Sequence, residues 1–161
     1  MGHQIYFTDQ REERKGGINR NELMQKEEVS RENIFEDSLA IMERIEKRKE
    51  LGVSFRGEPG HGLGPTYEFF TLLAGKIYSA GDGKMWKIGQ KDGTLFPTPI
   101  DTKSLTPTQI KEVSDTFRMA GTFIAKSIVD NKLIDLPISN LMWELLLGKV
   151  SKSHTVNQFV L

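Results

Sequence analysis

The residues of this chain best placed to do chemistry lie between Leu51 and Phe70, LGVSFRGEPGHGLGPTYEFF. A short alternating apolar run, Val53-Ser54-Phe55, enters a loop holding Gly57, Gly60, Gly62 and Gly64. Pro65-Thr66 then opens an amphipathic segment carrying Tyr67, Phe69 and Phe70. Strand, glycine loop and helix is the layout of a phosphate cradle, in which backbone amides and a helix N-terminus hold an anion. It is also the layout of a purely structural turn. A P-loop places a lysine and a Ser or Thr directly after its last glycine. Here Pro65-Thr66 follows Gly64, and the lysine is missing. A dinucleotide fingerprint spaces its glycines by two and then three. Here Gly60, Gly62 and Gly64 are spaced by two and two, and Pro65 removes an amide that would face the anion. The spacing therefore favours a turn whose glycines supply positive φ and let a helix pack close to a strand.

Two carboxylates, Glu58 and Glu68, flank this loop. A paired-carboxylate hydrolase needs both in one cleft. Glu68 is better placed to anchor loop amides at the helix start, where the dipole favours negative charge. His61 in the loop could serve as a titratable base, but an exposed loop histidine is the far commoner case. His3, His61 and His154 are far apart, and none has ligand spacing with a carboxylate, so no metal site is expected. No serine sits in a GxSxG elbow. The chain has no cysteine, which excludes a disulfide scaffold, a thiolate metal site and a cysteine nucleophile within these residues. Neither a catalytic residue nor a cofactor emerges, and Gly57, Glu58, Gly60, Gly62, Gly64, Pro65 and Glu68 stand as a structural loop.

The elements around that loop follow from patterning. Residues 8 to 29 are dominated by charge and polarity and are expected to be a solvated, partly disordered lead-in. Ser30 stands where an N-cap belongs, with Glu32 in the first turn, and apolar residues follow at helical spacing through Ile45. Lys47, Arg48 and Lys49 would close that helix against its negative end. A strand over Val53–Phe55 follows, then the loop, then a helix to about Tyr78 with Tyr67, Phe70, Ala74 and Ile77 on one face. Met85–Ile88 and Leu95-Phe96 flank an Asp92-Gly93 turn signal and predict a short hairpin. Thr106-Pro107-Thr108-Gln109 combines a cap, a proline at the first helical position and a capping box. The helix it opens is expected to turn Ile110, Val113, Phe117, Ala120, Ile124 and Ile128 inward. Ser139 caps a last helix through Leu147, and Gly148 ends it. Four helices with a few short strands make an α+β domain.

At 161 residues the chain can bury a core without staples. Its 22 basic residues balance 22 acidic ones, so it lacks the footprint of a nucleic-acid binder. No apolar run approaches the roughly 20 residues of a membrane span. The start, MGHQIYFTDQ, has no basic region leading into an apolar stretch. An intracellular location, cytoplasmic or nuclear, fits these features and the lack of cysteine. The chain closes on Phe159-Val160-Leu161, which suggests a cut inside a longer protein.

Several segments together resemble the start of a HECT ubiquitin-ligase domain. They are VSRENIFE (residues 29–36), LGVSFRGE (51–58), GLGPTYEFF (62–70), FRMAGTFIAK (117–126), the stretch from Asp130 to Ser139, and LLLG (145–148). They occur in the family's order, and the GLGPT form is closest to the ubiquitin-fusion-degradation branch. The resemblance implies that residues 30 to 161 are part of the family's large N-terminal lobe, with residues 1 to 29 as the charged lead-in. It also implies a reaction. A cysteine in a smaller C-terminal lobe accepts ubiquitin from a conjugating enzyme as a thioester and passes it to a substrate lysine. A thiolate suits this because it both attacks and leaves well near neutral pH. The chain departs from that pattern in having no cysteine, which truncation would explain. Such a fragment would be an inactive scaffold, with ubiquitin and a conjugating enzyme as partners of the parent. It would expose an apolar face at Phe159, Val160, Leu161 and around Trp143, and could self-associate there. A free-standing interaction module and a nucleotide-binding enzyme are the readings from other classes.

Overall fold

The computed structural model describes residues 23–60, 62–80, 85–89, 92–101 and 103–149. In chain order the elements are β1 (Met24–Val29), α1 (Ile34–Glu43), β2 (Glu50–Phe55), α2 (Leu63–Ala80), β3 (Trp86–Ile88), β4 (Leu95–Pro97), α3 (Pro107–Val129) and α4 (Asn140–Leu146). The class is α+β, as the patterning predicts.

The polar lead-in expected to run to residue 29 gives way at Met24 to a strand. β1 pairs with β2 in parallel, in register from Met24–Glu50 to Val29–Phe55, and α1 is the crossover between them. Its sequence, MQKEEV, hides a strand because it is an edge: only Val29 is buried, and charge is what keeps such an edge from pairing with other chains. The charges are used. Glu27 accepts from Arg44 at 2.5 Å, and Glu28 lies 3.7 Å from Arg56.

α1 starts later and ends earlier than its pattern suggests. Ser30 is not the cap. Its N–H donates to the Asp37 carboxylate at 2.7 Å, its hydroxyl accepts from the Glu32 N–H, and helical residues begin at Ile34 after Asn33. The helix ends at Glu43, so Lys47, Arg48 and Lys49 lie in the turn that leads back into β2. The parallel register dictates this: the chain must return to the start of β1, and Glu50 N–H is already bonded to the Leu23 carbonyl at 2.8 Å.

β2 is the centre of the fold. Leu51, Val53 and Phe55 are buried, and α2 covers them with Phe69, Phe70, Leu73, Ala74 and Ile77. Tyr67, expected on that inner face, is 46% exposed; its ring lies under the Lys132 ammonium, 4.6 Å away. Phe70 stacks on Phe123 of α3 at 5.3 Å and meets Phe69 edge-on at 5.7 Å. The predicted hairpin is present as β3 paired antiparallel with β4, with Gly93 at φ +67° in its turn. Leu95 carries the hairpin onward. Its N–H donates to Pro137 and its carbonyl accepts from Ser139, joining β4 to the segment before α4.

α3 has the capping box its sequence announces: the Gln109 N–H donates to Thr106 Oγ1, and the Thr106 N–H donates to Gln109 Oε1. Phe117, Ala120 and Ile124 face the core as predicted, but the fully buried face is shifted and the two ends of the predicted stripe fall outside it. Met119, Ala120, Phe123, Lys126 and Ser127 are inside, whereas Ile110 is 38% and Ile128 68% exposed. The cause is Lys126. Its side chain is 4% exposed, and its ammonium donates to the Lys49 carbonyl and to Asp130 Oδ1, the latter at 2.8 Å. Residues 126 and 128 sit about 200° apart on a helix, so turning Lys126 in turns Ile128 out. The second oxygen of Asp130 accepts the Leu51 N–H at 2.9 Å. Ser139 and Gly148 behave as predicted, capping α4 and closing it at φ +66°.

Asp130→Ala is expected to strand the buried Lys126 ammonium and the Leu51 N–H together, lowering stability by about 3–5 kcal/mol. Thr66→Val, which removes one neutral acceptor from the same strand, is expected to cost about 1–3 kcal/mol. Urea denaturation of both variants checks the order; a smaller loss for Asp130→Ala than for Thr66→Val contradicts the assignment of the ion pair as the stronger tie.

Candidate functional site

The glycine loop leaves β2 at Phe55 and enters α2 at Leu63. Gly57 has φ +78° and Gly62 φ +95°, so both need the left-handed region that L side chains rarely adopt. At Gly60 a Cβ would make one tight contact, 3.3 Å from Pro65 Cγ, which a shift of a few tenths of an ångström would relieve. Gly64 sits in the first turn of α2 with nothing within 4 Å of where its Cβ would be. Pro65 lies in the same turn, where its missing N–H has no helical acceptor to lose. Thr66 does the joining. Its hydroxyl accepts the Val53 N–H at 2.9 Å, and its proton is placed between the carbonyls of Gly62 (3.3 Å) and Val53 (3.4 Å).

Over this loop lies a three-residue ionic cluster. Arg31, in the turn between β1 and α1, donates from Nε and Nη2 to both oxygens of Glu58 and from Nη1 and Nη2 to both oxygens of Glu68, at 2.6 and 2.9 Å for the second pair. Its guanidinium also covers the Phe55 ring, 4.0 Å from the centroid. The three side chains are 40–45% exposed. Glu58 and Glu68, expected to flank the loop, are thus brought together. The partner of Glu68 is the Arg31 guanidinium rather than the loop amides anticipated for it. Hydrogen bonds from Arg31 hold both carboxyls below the ordinary glutamate range, and the two carboxylates push the arginine further up. Carboxylates held so firmly ionised are poor general acids near neutral pH. The cluster is a clasp that ties the β1–α1 turn, the glycine loop and the start of α2 together.

His61 lies outside the described residues, as do His3 and His154. Among the described residues no group of three or more His, Cys, Asp or Glu could hold a metal ion, and no helix is long and apolar enough to cross a membrane. Three residues central to this geometry carry no local signal: Arg31, Lys126 and Asp130. Arg31 meets its partners 27 and 37 residues away, and Asp130 meets Leu51 across 79.

The family model HECT-domain (ubiquitin-transferase) matches residues 71–159. E3 ubiquitin-protein ligase UPL3 of Arabidopsis thaliana is 33% identical over 181 aligned positions, covering 94% of this chain and 9% of the relative. E3 ubiquitin-protein ligase UPL4 of the same plant is 32% identical over 79% of this chain and 9% of its own length. Ubiquitin fusion degradation protein 4 of Saccharomyces cerevisiae is 30% identical, over 81% of this chain and 9% of its own length. The chain belongs to the HECT family. It spans about a tenth of the length of these relatives. The Arg31 clasp lies ahead of the span that the family model matches.

Because folding depresses the values of Glu58 and Glu68, the clasp's contribution is present above the unfolded carboxyl value and is lost as pH falls through the lower folded one. Carboxyl carbon NMR titration is expected to place both midpoints below 4.5 in the native chain and to return them toward 4.5 in Arg31→Gln. Unchanged midpoints in that variant would remove Arg31 as the cause.

Proposed function

We propose that this chain is part of the N-terminal lobe of a HECT-type E3 ubiquitin-protein ligase, a scaffold within an enzyme whose thioester chemistry is done elsewhere. The observation that carries the proposal is the HECT family match over residues 71–159 in a chain without a single cysteine. Transfer through a thioester needs a thiol, so the acceptor cysteine belongs to another part of the parent. Partners of the parent are ubiquitin, a conjugating enzyme that delivers it and a protein substrate that receives it. The location that suits this role is intracellular, cytoplasmic or nuclear. The lobe segment of this proposal runs over residues 30 to 161 after a charged lead-in, and the pairing of β1 with β2 supports drawing Met24–Val29 into it as well.

What the scaffold supplies is rigidity. Strand β2 is bonded on one side by β1 and on the other by side chains of α2 and of the end of α3, so the helices keep fixed places around it. The experiment is a single-turnover assay with a conjugating enzyme charged with labelled ubiquitin. The parent protein is expected to form an adduct that thiol reductant removes, and this chain alone to form none. A reductant-sensitive adduct on this chain, or none on the parent, refutes the reading.

Self-association is the second part of the proposal. Leu146 and Leu147 at the end of α4 are 59% and 65% exposed, and Trp143 is half-buried beside them. Phe159, Val160 and Leu161 lie outside the described residues. Sedimentation velocity is expected to show concentration-dependent association that Leu146→Ser/Leu147→Ser weakens. A monomer at every concentration, with no binding of hydrophobic dye, counts against it.

A further inference from the structure

The turn between α1 and β2 and the C-terminal end of α3 border one depression of about 270 Å³, with Lys47, Arg48 and Lys49 on one side and Val129, Asp130 and Asn131 on the other. Its charges do not cancel. Lys49 is paired with Glu46 at 3.0 Å, Lys126 with Asp130 at 2.8 Å and Lys132 with Glu50 at 2.8 Å. Every carboxylate around the depression therefore has its own lysine. Lys47 and Arg48 are exposed and have no ion-pair partner among the described residues, leaving two uncompensated cations.

Val129 borders the depression together with those cations, and it is one of three exposed large apolar residues in this stretch of the chain. Ile128 and Val129, the last residues of α3, are each 68% exposed, and Leu133 is 94% exposed. For Ile128 and Val129 the reason is helical geometry: burying Lys126 and Ser127 puts the residues about 200° round the helix from them on the outer face, while Leu133 lies beyond the end of α3. An exposed apolar side chain such as Val129 bordering the same depression as unpaired charge marks an interaction surface, and the sign of the charge selects the partner.

We propose that this surface docks a protein segment in which carboxylates alternate with large apolar side chains. The apolar residues of such a segment would cover Ile128, Val129 and Leu133, and its carboxylates would meet Lys47 and Arg48. Two cations are too few for an anionic membrane, where clusters of about four to eight are the rule. A nucleic acid would leave the apolar part uncovered. A second copy of the chain, meeting this patch with its own, would bring like charges together. The proposal goes beyond the scaffold role and does not rest on it.

The test is fluorescence anisotropy of the 161-residue chain with a labelled twelve-residue peptide repeating Leu-Glu-Glu-Leu. Saturable binding is expected, weaker at about 200 mM salt than at about 50 mM. Lys47→Glu/Arg48→Glu is expected to weaken it at least tenfold, Leu133→Ser several-fold, and replacement of the peptide's glutamates by glutamine at least tenfold. All the substituted side chains are exposed, so thermal melting should stay at the native temperature, and Ile110→Ser, an exposed apolar change elsewhere on α3, should bind as the native chain does. No saturation up to about 1 mM peptide, or charge reversal without effect, overturns the proposal. So does a dimer that Leu133→Ser dissolves, which assigns the face to a second copy. Vesicles containing phosphatidylserine that bind as tightly as the peptide would assign it to a membrane and equally overturn it.

Discussion

The open edge of β2 is the constraint on which the rest of the structure depends. A two-stranded parallel sheet satisfies only one side of its inner strand. On the other side Leu51, Val53 and Phe55 present backbone groups that a buried position cannot leave bare. No third strand covers that side among the described residues, and three separate groups meet it. Asp130, at the end of α3, accepts the Leu51 N–H. Thr66, in the first turn of α2, accepts the Val53 N–H. Glu58, in the loop, donates its own N–H to the Phe55 carbonyl. The two-residue spacing of the strand is thereby copied into the placement of two helices and a loop.

Each of those ties brings a further requirement. An aspartate that gives one oxygen to a buried amide needs a cation for the other, and Lys126 is the residue one helical turn before it. A lysine drawn inside needs more than one partner, and the Lys49 carbonyl supplies it. Burying an ion pair in this way is a weak source of stability by itself, because both charges must leave water. Its value is positional: it sets the rotation of α3 about its axis and places α3 against the strand. The same rotation leaves Ile128 and Val129 outside. The Arg31 clasp plays a lesser part. It is partly exposed and open to screening by salt, and the glycine loop it covers is already held by Thr66.

Legibility followed the range of the interactions. The hairpin around Gly93, the Thr106 capping box and the Ser139 cap are decided within four or five residues, and their patterns could be recognised directly. The positive φ of Gly57 and Gly62 was legible for the same reason. β1 was not, because an edge strand is built from polar residues and becomes a strand only when β2 lies beside it. Periodicity places the middle of the inner face of α3 and fails at its C-terminal end, where a lysine, which it scores as polar, is buried and Ile128 is exposed. Glu58 and Glu68 were recognised as a pair around the loop, but the arginine that joins them is 27 residues away from the nearer one.

By itself the sequence determined the α+β class, the helix caps, the turn glycines, the absence of a thiol and, through several ordered segments, the HECT family. Each of these depends on residue identity or on short spacing, both of which a linear chain carries in full. Only the tertiary structure decided that β1 exists, that Arg31 binds both carboxylates of the loop, and that Lys126 is inside while Ile128 is out. Those outcomes depend on which backbone groups a distant segment leaves unsatisfied, and a buried amide specifies that an acceptor must come without specifying from where.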